Sequence, residues 1–113
     1  MTEIKIKQFS YINHELLENG SDKLTLQDDF LFYEHSCKAK VLDDKLEVPI
    51  EKYYRNKYMF IKKFVSNLEM WYANDSEIWC VDIECGGRGF TLTFKEQKEA
   101  EEVMSKIVNW RNS

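Results

Sequence analysis

The chain has 113 residues, 43% hydrophobic and 14% aromatic, with four glycines, one proline and a net charge of −4. That is enough apolar side chain for one core and too little chain for two, and no stretch has the composition of a disordered segment. Charges of both signs are interspersed and arginine is confined to Arg55, Arg88 and Arg111, which argues against the basic stripe of a dedicated nucleic-acid binder.

Scarce Arg beside abundant Lys, Asn, Ile and Tyr is the usage of a low-GC genome and suggests a bacterial or phage source. No run of about 18 apolar residues exists to span a membrane as a helix. Met1–Lys7 lacks the apolar centre of a signal peptide. Three cysteines, Cys37, Cys80 and Cys85, read as reduced thiols. The expectation is one cytoplasmic domain over residues 1–113.

In chain order, Ile4 and Ile6 alternate with Lys5 and Lys7 as a half-exposed strand. Ser10–Glu18, with Ile12 and Leu16 four apart, reads as a short helix stopped by Asn19-Gly20. Lys23–Leu26 alternates again, and Phe30–Tyr33, apolar on both faces, fits a central strand, with Gln27-Asp28-Asp29 as the turn between them. Val41-Leu42 and Leu46–Val48 flank Asp43-Asp44 as a second hairpin, after which Pro49 ends the strand or opens a helix.

Between Pro49 and Asn74, Ile50, Tyr54, Tyr58, Ile61, Val65, Leu68 and Tyr72 recur at steps of three and four. At about 100° per residue they form one helical stripe, and Tyr53, Phe60, Phe64 and Trp71 form a second ridge. A long central helix over residues 50–73 is therefore expected. Its aromatic and β-branched content leaves open a split into two strands at Ser66-Asn67.

Beyond Asn74-Asp75-Ser76, Ile78–Cys85, Gly86–Gly89 and Phe90–Phe94 make the clearest hairpin. Trp79, Val81, Ile83 and Cys85 share one face, and Phe90, Leu92 and Phe94 face in. A helix from about Glu96 to Arg111 closes the chain, with Ala100, Val103, Met104, Ile107 and Val108 as its apolar stripe.

Candidate chemistry is thin. The Gly86-Gly87-Arg88-Gly89 run joins two strands rather than leading into a helix, so its glycines serve a turn and not a phosphate cradle. Cys80 and Cys85 differ by an odd number and face opposite ways on a strand, so they do not converge on a metal. His14 and His35 fall in different elements, and His35 reads as a surface residue. Asp28-Asp29, Asp43-Asp44 and Asp82/Glu84 suit turns and a solvated sheet face. No catalytic, metal or cofactor-binding residue is assigned, and no cofactor is expected.

Two stretches resemble the pleckstrin-homology and GRAM-like family of intracellular modules. They are Lys23–Tyr33 (KLTLQDDFLFY) with Leu46-Glu-Val-Pro-Ile50, and Gly89–Phe94 running through Glu96–Met104 to Trp110. Together they cover about half the chain. The resemblance implies a scaffold for protein contacts and strands where the long stripe lies. Phosphoinositide binding is not implied, because the turn carrying basic residues in lipid-binding members is here Gln27-Asp28-Asp29.

The expected fold is α+β: an antiparallel sheet of about five to six strands packed by a C-terminal helix, either PH-like or built round the long central helix. The expected function is a non-enzymatic protein-interaction module, for example an immunity, antitoxin or phage-encoded inhibitor protein. Its candidate interface is Tyr53, Phe60, Phe64, Trp71 and Arg88, with Asp28, Asp29, Asp43 and Asp44 steering a basic protein partner. Self-association is open. The alternatives are a PH-like module at a membrane surface and an enzyme of unrecognised type using a cysteine.

Overall fold

A computed structural model describes residues 1–12 and 15–113. Seven strands and one helix follow in order: β1 (Thr2–Ile12), β2 (Glu15–Leu26), β3 (Phe30–Leu42), β4 (Pro49–Ile61), β5 (Val65–Ala73), β6 (Ile78–Cys85), β7 (Arg88–Phe94) and α1 (Gln97–Arg111). The strands form two antiparallel meanders, a four-stranded sheet ordered β1-β2-β3-β4 and a three-stranded sheet ordered β5-β6-β7. The α+β class holds, with seven strands rather than five or six.

Alternation decides which side of each strand is buried. Ile4, Ile6, Leu24, Leu26, Leu31, Tyr33 and Phe60 point from the first sheet into the core, and Val65, Val81, Ile83, Cys85, Leu92 and Phe94 come from the second. Ala100, Val103 and Ile107, spaced to lie on one face of α1, complete the same cluster. Thr93 Oγ1 donates to Gln8 Oε1 at 2.6 Å, tying β7 to β1 where the two sheets meet. At the other end of the core, Trp110 Nε1 donates to the Gln27 carbonyl, and Lys62 Nζ reaches the Ser113 carbonyl and hydroxyl at 3.0 and 2.9 Å.

The expected helix over residues 50–73 is replaced by β4 and β5, separated by a 3-10 turn at Lys62–Phe64. The break falls four residues before the Ser66-Asn67 split considered above, and Ser66 sits instead in a bulge between Val65 and Asn67. The cause is tertiary. β3 offers an unbroken partner edge from Phe30 to Leu42, and every residue of Pro49–Ile61 pairs with it. The helix expected at Ser10–Glu18 is likewise strand, with Phe9–Ile12 paired to Glu18–Glu15. Asn13 and His14 lie outside the described residues.

The turns are as expected at Gln27–Asp29, where the Gln27 amide donates to the Phe30 carbonyl. In the second hairpin Leu46–Val48 is loop, not strand. Asp43 Oδ1 accepts the amides of Lys45 and Leu46 at 2.9 and 2.8 Å, so its carboxylate shapes the loop before Pro49 opens β4. Gly86 and Gly87, at φ 59° and 83°, supply the left-handed turn joining β6 to β7.

Candidate functional site

The two sheets are joined along β1 and β7 and part on the opposite side, where β4 and β5 each pair with one neighbour only. An aromatic cleft of about 270 Å³ opens beside β4, between β3 and β4 of the first sheet and the start of β7 in the second, lined by Tyr33, His35, Tyr58, Phe60, Arg88, Gly89 and Phe90. Its floor is a stack. The Tyr33 and Phe90 rings lie 4.0 Å apart and within 8° of parallel, and Phe60 leans on Phe90 at 5.5 Å. Tyr58, 40% exposed, continues the row 5.9 Å from Tyr33. The Arg88 guanidinium sits 5.3 Å from the centre of the Phe60 ring, a cation–π contact that holds a positive charge at the rim.

Behind the floor lies a buried polar network. Asp22, only 2% exposed, accepts from Tyr33 Oη at 2.7 Å and from Gln8 Nε2, and its other oxygen meets His35 Nδ1 at 2.5 Å. A carboxylate only accepts, so His35 Nδ1 is the donor in this contact. Burial, followed by the hydrogen bond to Asp22, holds the Tyr33 phenol well above its ordinary value. Through Gln8 the chain of contacts continues to Thr93, so one carboxylate links β1, β2, β3 and β7.

His35 is therefore not the free surface residue expected. Its pairing with Asp22 is half of a hydrolytic constellation, but among the described residues no hydroxyl or thiol hydrogen-bonds to His35. Cys80 and Cys85 are buried on opposite faces of β6, and burial pushes both thiols up, away from a reactive thiolate. Cys37 is half-buried on β3. No group of three or more His, Cys, Asp or Glu among the described residues is arranged to hold a metal ion. No described helix is long and apolar enough to cross a membrane.

The expected aromatic ridge is dispersed. Phe60 is core at 6% exposure, while Tyr53, an odd number of residues away, points to the opposite face of the first sheet. Phe64 is exposed on the 3-10 turn. Trp71 lies on β5, its Nε1 donating to Asp82 Oδ2 at 2.8 Å, and Thr91 donates to the other oxygen of Asp82. Of the expected interface residues, Phe60 and Arg88 meet in the cleft. Tyr58, assigned earlier to the stripe, joins them there.

The acidic pairs do not combine. Asp28-Asp29 and Asp43-Asp44 flank the two ends of β3, about 40 Å apart at the rise of a strand. Asp28 and Asp29 also share the lining of a hollow with Lys62, Lys63 and Arg111. No family model, curated protein or solved structure matches this chain.

Proposed function

We propose that this chain is a non-enzymatic protein-interaction module that binds a partner at the open corner between its two sheets. The observation carrying the reading is the aromatic cleft with Arg88 at its rim, next to the one-sided strand β4. Tyr58 and Arg88 are the residue types that dominate binding hot spots, and the floor beneath them is rigidly stacked. The cation at the rim favours a partner that presents a carboxylate beside an apolar or aromatic side chain, an acidic rather than a basic one. The order of elements, four strands then three then a closing helix, supports the PH/GRAM-like resemblance and with it a scaffold role.

The test is affinity capture with the tagged protein beside Tyr58→Ala and Arg88→Glu. A partner retained near stoichiometrically by the parent and lost by both variants, each with unchanged circular dichroism, supports the reading. A partner held equally by all three refutes the corner as its site.

A second reading rests on the outward face of the first sheet. Opposite the buried Ile4, Ile6 and Leu24, strand alternation places Lys5, Lys7, Lys23, Lys38, Arg55 and Lys57 there, against Glu3, Glu34, Glu51 and Glu18, the last 4.0 Å from Lys7. The linear sequence hides this surplus because the balancing acids lie elsewhere. Such a face suits the anionic headgroups of a membrane surface. Co-sedimentation with phosphatidylserine vesicles, abolished by salt, would favour it, and absence of binding at low salt would remove it.

A further inference from the structure

We infer that β4 is a dimerisation strand, and that its partner is the β4 of a second copy, paired antiparallel about a twofold axis centred on Tyr54. Thirteen residues, Pro49–Ile61, form an edge that pairs with β3 along its whole length and with nothing on its other side. Two devices that blunt an exposed edge are missing, an interior proline and a bulge in the pairing with β3, and the charges β4 does carry, Glu51, Lys52, Arg55 and Lys57, are of both signs. An edge of this length is a template for another strand.

The register follows from the sequence of the strand. In an antiparallel ladder, opposite residues share a face and an orientation, so a twofold pair must centre on a residue and not between two. Centring on Arg55 sets two arginines against each other, and centring on Asn56 sets Arg55 against Lys57. Centring on Tyr53 shortens the pairing and aims Glu51 at Arg55, which Glu34 already holds at 3.1 Å. Centring on Tyr54 places Glu51 opposite Lys57 of the second copy and Tyr53 opposite its Arg55, on the outward face. On the inward face Tyr54 meets Tyr54 and Ile50 meets Tyr58. Every outward pair is then an ion pair or a cation on an aromatic ring, except Pro49 with Met59 at the ends. Glu51 keeps its present neighbour Lys38, 3.9 Å away, on the β3 side.

The inference deepens the reading above by naming one occupant of the strand beside the open corner. The experiment is light scattering coupled to size exclusion, from low micromolar to near-millimolar protein, on the parent, Glu51→Lys, Lys57→Glu and the double exchange. Both positions are exposed, and circular dichroism confirms each fold. The parent is expected to reach twice 13.6 kDa. Each single variant sets like charges opposite each other twice in the interface and weakens association by about tenfold or more, while the double exchange restores it. A parent monomeric at every concentration overturns the inference, as does a dimer that the single variants leave unchanged. A monomer that still captures a partner through Tyr58 and Arg88 overturns the dimer alone and leaves the module reading intact.

Discussion

Replacing Asp22 by Ala removes the acceptor shared by three donors on the two flanking strands, Gln8 on β1 and Tyr33 and His35 on β3. Two of these donors have no recourse to water, since Gln8 and Tyr33 are 8% and 6% exposed. Each orphaned group costs about 1–3 kcal/mol. The third, His35, has a side chain 31% exposed and is rehydrated more cheaply. The alanine also relieves the cost of burying a carboxylate, so the net loss is about 3 kcal/mol. Asp22→Asn keeps one oxygen for the two buried donors, Gln8 and Tyr33, and leaves the part-exposed His35 to water, so about half that loss is expected. Urea unfolding followed by tryptophan fluorescence reads both, with the slope unchanged if only stability has moved. An alanine variant within about 0.5 kcal/mol of the parent, or an asparagine variant worse than the alanine, would refute this account of the network.

Phe60→Ala should cost about 3–5 kcal/mol because its ring is buried among Tyr58, Phe90 and Arg88, whereas Trp71→Ala, at 41% exposure with one hydrogen bond to Asp82, should cost about 1; equal losses would contradict the placement of these rings. Gly20→Ala should destabilise by about 1–3 kcal/mol, since a Cβ there would overlap the Ser36 carbonyl oxygen of the neighbouring strand, and an unchanged melting temperature would argue against so close an approach. Tyr33 keeps its proton in the folded state well past the pH, near 10, at which the unfolded chain releases it. Its stabilisation is therefore complete below about pH 10 and declines above it by up to about 1.4 kcal/mol per pH unit, a slope that should diminish in Tyr33→Phe. Under native conditions an alkylating reagent should modify Cys37 ahead of the buried Cys80 and Cys85, and mass spectrometry showing Cys80 modified first would reverse that order.

The hairpin Ile78–Phe94 and the helix closing the chain were legible because several cues agree there: strict alternation, turn glycines and then a three-four apolar spacing. The segment Pro49–Ala73 was not, for a geometric reason. Ile50, Tyr54 and Tyr58 are four apart, and that spacing keeps side chains on one face of a helix and also of a strand. Only β3 alongside, contributed by another part of the chain, separates the two cases. The network behind the cleft carried a readable signal that composition obscures. Asp22 lies two residues before Leu24, Gln8 two after Ile6 and His35 two after Tyr33. Each polar residue thus has the parity of a core position, and extending the alternation by one step would have placed all three inside. The strand expected at Lys23–Leu26 stops one residue short of Asp22. The cleft depends on Arg88 and Phe90 of one sheet meeting Tyr58 and Phe60 of the other, a juxtaposition that no local pattern encodes.

Every strand pairs with the strand next to it in the chain, so each ladder closes a short loop whose entropic cost is small. Among the described residues, the hydrogen bonds Gln8–Thr93 and Gln27–Trp110, with Lys95 over the Phe9 ring, join residues more than 80 positions apart. The two meanders can therefore assemble as separate units, and the late event in folding is their closure under α1. In pulsed hydrogen exchange, amides of the β2–β3 and β6–β7 ladders should become protected ahead of those of α1. The seam between β1 and β7 is thus the point at which two local structures become one cooperative protein.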